Sequence, residues 1–473
     1  MSVRSGHSGI FARRSGSSVD ERSLLLENDN ILESSSDELN ASNRRAAVRL
    51  GRKEILVMVI SSSAIFMANV AFGTMPLMLP VEITKKGYSL SWIGGLYLVN
   101  GLFLFVFELL QPRLVPVIGT KRVFVISTAG LGAAYFAFGF LQFTNSGTTF
   151  GVVGCFIRAA EAIFFAGMMN SGLTMMCLAT PDKALILFGV TDGLVVVGFA
   201  LGPLVAGALY YVSGFTLTFV IPGLLLMFCA LWGQFGLPTV SNALRVPGFE
   251  DIRRLLADLH FIAGIVLILT VSIAIGSLEA TMEIYFSKFE LGIVTEGVIF
   301  FSGWMAGALT SPFIGWLLTK WRIEWILLVA GPFLVSFFFF IFGIVPALIG
   351  LNLGLSIAFL LLLIITTSAS FVGGVGIMLR QAESCGLVND SVTYTFISAV
   401  WLSMFYLGEG LGGLISTTIL DYYSYEAVSI AYIAIQLALV GCALVILYFA
   451  NRGRSDSYDV TAEPKGTYKS LQE

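Results

Sequence analysis

From residue 55 onward the chain is a series of long apolar runs separated by short polar breaks. The runs fall at about 55–80, 91–112, 122–144, 149–177, 184–211, 214–237, 260–286, 294–318, 324–348, 350–379, 392–418 and 426–450. Each can cross a hydrocarbon core roughly 30 Å thick as a single helix. Apolar residues are continuous in these runs and do not alternate, so the pattern predicts helices. In lipid a helix satisfies its own backbone hydrogen bonds. The pattern therefore predicts an all-α membrane protein with twelve transmembrane helices in two six-helix halves, 55–237 and 260–450. The longest internal break, 238–259, separates them. Within it Glu250 to Leu259 reads as a short amphipathic helix on the cytosolic face.

The ends are different. Residues 1–54 are rich in Ser, Arg, Asp and Glu, cannot bury a core, and are expected to be a disordered cytosolic tail. The 451–473 tail is also polar. In the N-tail, Asp20-Glu21-Arg22-Ser23-Leu24-Leu25 has the form of a dileucine sorting signal. Tyr468-Lys469-Ser470-Leu471 has the form of a tyrosine-based endocytic signal. Both are expected to bind adaptor proteins.

Composition agrees with a membrane protein. Of 473 residues, 56% are apolar and 12% charged, with mean hydropathy +0.87, which excludes an ordinary soluble domain. Charge placement then fixes the orientation. With the N-terminus inside, the cytosolic segments carry Arg113, Lys121, Arg122, Lys183, Arg245, Arg253, Arg254, Lys320, Arg322, Arg380, Arg452 and Arg454. The opposite side carries only Lys85, Lys86 and Lys288. Twelve basic residues against three follow the positive-inside rule, and an odd number of spans would scramble the pattern. The five cysteines have no metal-ligand spacing and read as packing residues. No phosphate-binding loop or nucleophile motif is present, so neither an enzyme nor ATP-driven pumping is expected. No cofactor, metal or nucleic acid is called for.

Charge inside the spans is where chemistry is expected, because an ionisable group in lipid is costly. The fifth run contains GVTDGLVVVGFALGPLVAG, with Asp192 near its start. Gly198, Gly202 and Ala206 follow at i, i+4 and i+8, a bare stripe for a second backbone, and Pro203 removes one helical hydrogen bond. In the fourth run Arg158 and Glu161 share a helical face and can pair. They form either a structural ion pair or a gate that tunes other buried acids. The seventh run carries Glu279 and Glu283 four residues apart on one face. Two such neighbours do not both ionise readily, so one tends to hold a proton, and Glu279 is the stronger candidate. On the eleventh run Tyr394, Ser398, Trp401 and Phe405 share a face, either packing or ready to stabilise an alkylammonium by cation–π attraction. Glu409 follows between two glycines.

These stretches resemble a known family. Twelve spans with Gly198, Gly202-Pro203 and Gly207 in the fifth look like the antiporter motif of the major facilitator superfamily. Ser277-Leu278-Glu279-Ala280-Thr281-Met282 resembles the acid-centred motif of the vesicular amine transporters, with Ala280 in place of a proline. Pro80 with Lys85-Lys86-Gly87, the Arg158 and Glu161 pair, Asp192 and Ser398 to Trp401 are most similar to the vesicular polyamine transporter branch. That resemblance implies a monomeric proton-coupled antiporter that loads organic cations into acidic vesicles, such as synaptic vesicles or lysosomes, by alternating access. Its site would use Glu279, Asp192, Glu161, Arg158, Glu283, Glu409, Trp401, Tyr394, Ser398 and Asn69. The likeness has departures. Ala68-Asn69 and Ser398 stand where monoamine carriers have aspartates, and Pro116 stands where the superfamily's loop after the second span has one. A facilitator or proton symporter of a neutral or anionic metabolite is the competing reading, and a non-transporting scaffold or sensor the third.

Overall fold

The computed structural model describes residues 51–179, 184–238, 249–321, 323–350, 352–385 and 391–460. Leu24, Leu25 and Tyr468 lie outside them, as do the side chains of Asp192 and Tyr394. Among the described residues the elements are helices: α1 Arg52–Phe72, α2 Met75–Lys86, α3 Ser91–Ile118, α4 Thr120–Gly139, α5 Gly147–Ala179, α6 Ala184–Gly236, α7 Phe249–Ala257, α8 Leu259–Phe286, α9 Ile293–Trp321, α10 Glu324–Ile349, α11 Leu353–Ser384, α12 Ser391–Tyr422 and α13 Tyr425–Val460. Among them ten stretches are long and apolar enough to cross a membrane. One of these, Gly193–Gly236, is 44 residues long and makes two passes. Gly214, at φ 75°, separates them with a backbone that suits only glycine. The more polar α12, with Glu409 and four glycines between 408 and 413, supplies the twelfth pass.

Element ends follow the local chemistry. Asp258 caps α8, its carboxylate accepting from the Phe261 amide at 2.9 Å, and Asn352 caps α11 through the Leu355 amide at 2.8 Å. The Asn352 cap lets the tenth span begin four residues after the ninth ends at Ile349. The first span differs from the uninterrupted run expected. It breaks at Gly73-Thr74 and restarts as α2, with Pro76 in the first turn where its missing N–H costs nothing. The Thr74 hydroxyl donates to the Ala71 carbonyl at 2.7 Å and covers one group freed by the break.

Packing places α12 at the centre, along α3 on one side and α8 on the other. The first half of α6 lies along α9. Backbones meet closely wherever glycine allows. A Cβ on Gly276 of α8 would fall 1.9 Å from the Glu409 carbonyl oxygen, and one on Gly101 of α3 would fall 2.3 Å from that of Tyr406. At one end of this sandwich, Asp421 of α12 caps α3. Its carboxylate accepts from the Leu90 and Ser91 amides, at 2.7 and 2.8 Å, and from the Ser89 and Ser91 hydroxyls.

Candidate transport site

Arg158 of α5 is the largest fully buried side chain described, with 1% of its surface exposed. It faces Glu161 one turn on, Nη1 to Oε1 at 2.5 Å. The same oxygen accepts from the Tyr135 hydroxyl at 2.7 Å, so α4 helps hold the pair. Asn100 of α3 donates to the Arg158 carbonyl at 3.1 Å, and the guanidinium lies 5.6 Å from the centre of the Phe72 ring. This is a buried ion pair with excellent geometry but incomplete satisfaction, since Arg158 Nε and Glu161 Oε2 have no hydrogen-bond partner. Breaking such a pair by removing one member is costly.

A second pair of groups lies beside it. Glu279 on α8 and Glu409 on α12 are both about 97% buried. Each lies within electrostatic reach of the other, and the charge of Arg158 acts on both. The glycines explain why they meet: Gly276 sits one turn before Glu279, against the Glu409 backbone itself. Tyr97 of α3 lies within electrostatic reach of Glu279, Glu409, Arg158 and Glu161. Neither Glu279 oxygen nor the Tyr97 hydroxyl has a hydrogen-bond partner. Glu279 is the one charged residue lining a cleft whose walls are Pro76, Leu278, Met282, Phe300, Trp304, Leu360 and Ile364. A lone carboxyl in an apolar, aromatic-walled cleft is suited to a group that brings both positive charge and apolar surface.

The expected site residues separate into groups. Arg158, Glu161, Glu279 and Glu409 converge. Glu279 and Glu283 do not form the acid pair expected from their spacing. Glu279 couples to Glu409, while the charge acting on Glu283 is Glu296 of α9. The helix turns the two α8 carboxyls toward different neighbours, and α12 comes close enough to supply a nearer one. Trp401 stacks on Phe405 at 6.0 Å and meets Phe371 of α11 edge-on at 5.6 Å. The rings beside Glu279 are instead Phe300 and Trp304 of α9. Ser398 is partly buried on the same helix. Asn69 of α1 is buried and donates to the Ile65 carbonyl at 2.8 Å.

Gly198 and Gly202 form the bare stripe their spacing implied. A Cβ on Gly198 would meet the Phe66 carbonyl at 2.8 Å, and one on Gly202 would meet Gly73 Cα at 2.5 Å, at the break in the first span. The Pro203 carbonyl abuts Gly297, and Gly207 abuts Ile293, so the same helix also docks on α9. Sequence reasoning passed over Tyr97, Tyr135, Trp304 and Glu108. The tyrosines and Trp304 carried no signal, being aromatics in aromatic-rich runs. Glu108 had one, as an acid inside the second apolar run.

The sequence profile of the Major Facilitator Superfamily matches residues 57–385. The chain belongs to the Major Facilitator Superfamily: it is a multi-pass membrane transporter and not an enzyme. It is similar to the MFS-type transporter SLC18B1 of Mus musculus, 24% identical over 397 residues that cover 82% of this chain and 85% of the relative. The Homo sapiens protein of that name is 24% identical over 425 residues, 87% of this chain and 91% of the relative. These relatives bear out the resemblance to vesicular amine transporters and their polyamine branch. Among solved structures, the nucleoside transporter NupG aligns with a TM-score of 0.65 at 14% identity, over 84% of this chain and 99% of its own. A bacterial homolog to the human lysosomal transporter Spinster, inward-facing and unoccupied, aligns at 0.62 and 14% identity over 85% and 96%. Both share the fold.

Proposed function

We propose that this transporter is a proton-coupled antiporter for organic cations of the amine type, loading them into acidic vesicles or lysosomes. The observation that carries this reading is Glu279: buried, without a hydrogen-bond partner, and the only charged wall of its cleft. Ionised, it attracts an ammonium group whose apolar part packs on Trp304 and Phe300. Protonated, it loses that attraction and releases the cation. Glu409 shares the site, so a proton accepted by either carboxyl changes the charge seen by the cargo. Arg158 is already engaged by Glu161, which leaves the Glu279 and Glu409 pair free to exchange proton for cation. The resemblance to the polyamine branch favours an aliphatic amine cargo, as does the lack of an aspartate at Asn69 and at Ser398.

The same proposal sets the surroundings. The halves 55–237 and 260–450 rock about the central site, joined by 238–259, with both termini cytosolic. Leu24, Leu25 and Tyr468 recruit adaptors that direct the protein to its organelle, where it works as a monomer. The test is uptake of labelled spermidine and serotonin into proteoliposomes with an acidic interior, with and without a protonophore. Uptake of at least one amine is expected to require the gradient, and E279Q is expected to abolish it. Gradient-driven uptake that survives in E279Q removes Glu279 from coupling. Uptake of neither amine favours the metabolite carrier.

A further inference from the structure

The central site does not use Glu108. This carboxyl is fully buried on α3, in a span, and no basic side chain pairs with it among the described residues. It lies eleven residues beyond Tyr97 along α3, about 16 Å by helical rise, so it is well separated from the Glu279 level. One of its oxygens, Oε2, accepts from the Asn170 amide of α5 at 2.7 Å. The second Asn170 N–H goes to the Ala166 carbonyl at 3.0 Å, so that amide has no donor left for Oε1. Glu108 Oε1 is buried without a partner.

One turn further along the same face lies Gln111, 5% exposed, and its side-chain Oε1 is also buried without a partner. Two orphan acceptors three residues apart on one helix face lack a donor that the protein does not supply. Burying even one of them unsatisfied is costly, and a carboxylate more so. The Tyr406 hydroxyl of α12 lies within electrostatic reach of Glu108, and of Glu409 and Glu279. Asn170 itself is only half-buried.

We propose that Glu108, Gln111 and Asn170 form a second cation site, distinct from Glu279, that takes an alkylammonium group. The ammonium donates one N–H to Glu108 Oε1 and one to Gln111 Oε1. Asn170 positions the carboxyl by fixing its other oxygen. A metal cation suits the place less well, because two oxygens are far fewer than the six or more that hard cations collect.

The experiment is thermal stabilisation of the purified full-length protein by methylammonium chloride, against sodium and potassium chloride at equal ionic strength. It uses wild type, E279Q, E108Q and Q111L. Methylammonium is expected to raise the melting temperature of wild type and E279Q, and the sodium and potassium salts are not. In E108Q the half-saturating concentration should rise on the order of tenfold or more, the loss of a hydrogen bond to a charged group. Q111L, which keeps the carboxylate and removes one acceptor, should raise it several-fold. A response lost in E279Q but intact in E108Q overturns the second site and leaves the central one standing. So does an equal response to sodium, or no response in wild type and E279Q alike. Should E108Q fail to fold, an unchanged half-saturating concentration in Q111L overturns it.

Discussion

At the level of single residues the strongest test is the Arg158 and Glu161 pair. Both are essentially unexposed, and Glu161 Oε1 serves Arg158 and Tyr135 together. Removing one charge strands the other in a place water does not reach. E161L or R158M alone should each destabilise the protein by about 3–5 kcal/mol. The double variant removes both charges and should lose clearly less than the sum of the singles. Melting temperatures of the four proteins in one detergent check this, and additive losses would mean that the pair is not held as described. Y135F tests the same contact more gently. It keeps the ring and removes one hydrogen bond to a charged group, at a cost of about 1.5–3 kcal/mol. The charged residues of the site were legible in the sequence because lipid makes each of them anomalous. Arg158, Glu161, Glu279 and Glu409 all stood out; Glu108 obeys the same rule but was passed over. What spacing alone does not supply is which acid faces which, since that depends on the neighbouring helix. Hence Glu279 pairs with Glu409 and not with Glu283, its neighbour on α8.

At the level of elements, glycine determines how closely helices approach and therefore whether their acids meet. Gly276 and Gly412 form the α8–α12 contact, where added Cβ atoms would fall 1.9 Å from the Glu409 carbonyl oxygen and 2.0 Å from that of Ile273. Neither clash is with a flexible side-chain tip, so the helices themselves must move. G276A should cost about 1–3 kcal/mol by overpacking, and it should also reduce transport, because it separates Glu279 from Glu409. Gly95 of α3 is the contrast. A Cβ there meets nothing within 4 Å, so G95A should leave transport intact and stabilise by up to about 1 kcal/mol, the helix-propensity gain. Thermal melts and uptake on the same preparations check both. Equal behaviour of the two variants would show that close approach is not what these glycines provide. The Gly198, Gly202 and Ala206 stripe was readable from its period of four. The glycines of α12 were read only as an oddity around Glu409, because two stripes on opposite faces, toward α3 and α8, do not make a single period. The break at Gly73-Thr74 was hidden for another reason. The residues around it are as apolar as the helix itself, and hydropathy registers lipid contact, not backbone continuity.

At the level of the whole molecule, Asp421 joins the end of α12 to the start of α3, the two elements that flank the site. Burial alone would push its carboxyl up, but hydrogen bonds from the Ser89 and Ser91 hydroxyls and the Ser91 and Leu90 amides outweigh it and hold the group below the ordinary aspartate range. A depressed carboxyl stabilises the folded state above its unfolded value, near about 3.9, and that contribution is lost as pH falls through and below it. In the proposed orientation this latch lies on the face away from the cytosol, and a depressed carboxyl stays ionised at moderately acid pH. In the proposed antiporter, lumenal acidity would therefore act on the central carboxyls and not on this latch. The melting-temperature difference between wild type and D421N should stay constant from neutral pH down to about 5 and collapse only below about 4. A difference that already fades well above the aspartate range would mean that the latch titrates with the lumen and belongs to the coupling itself.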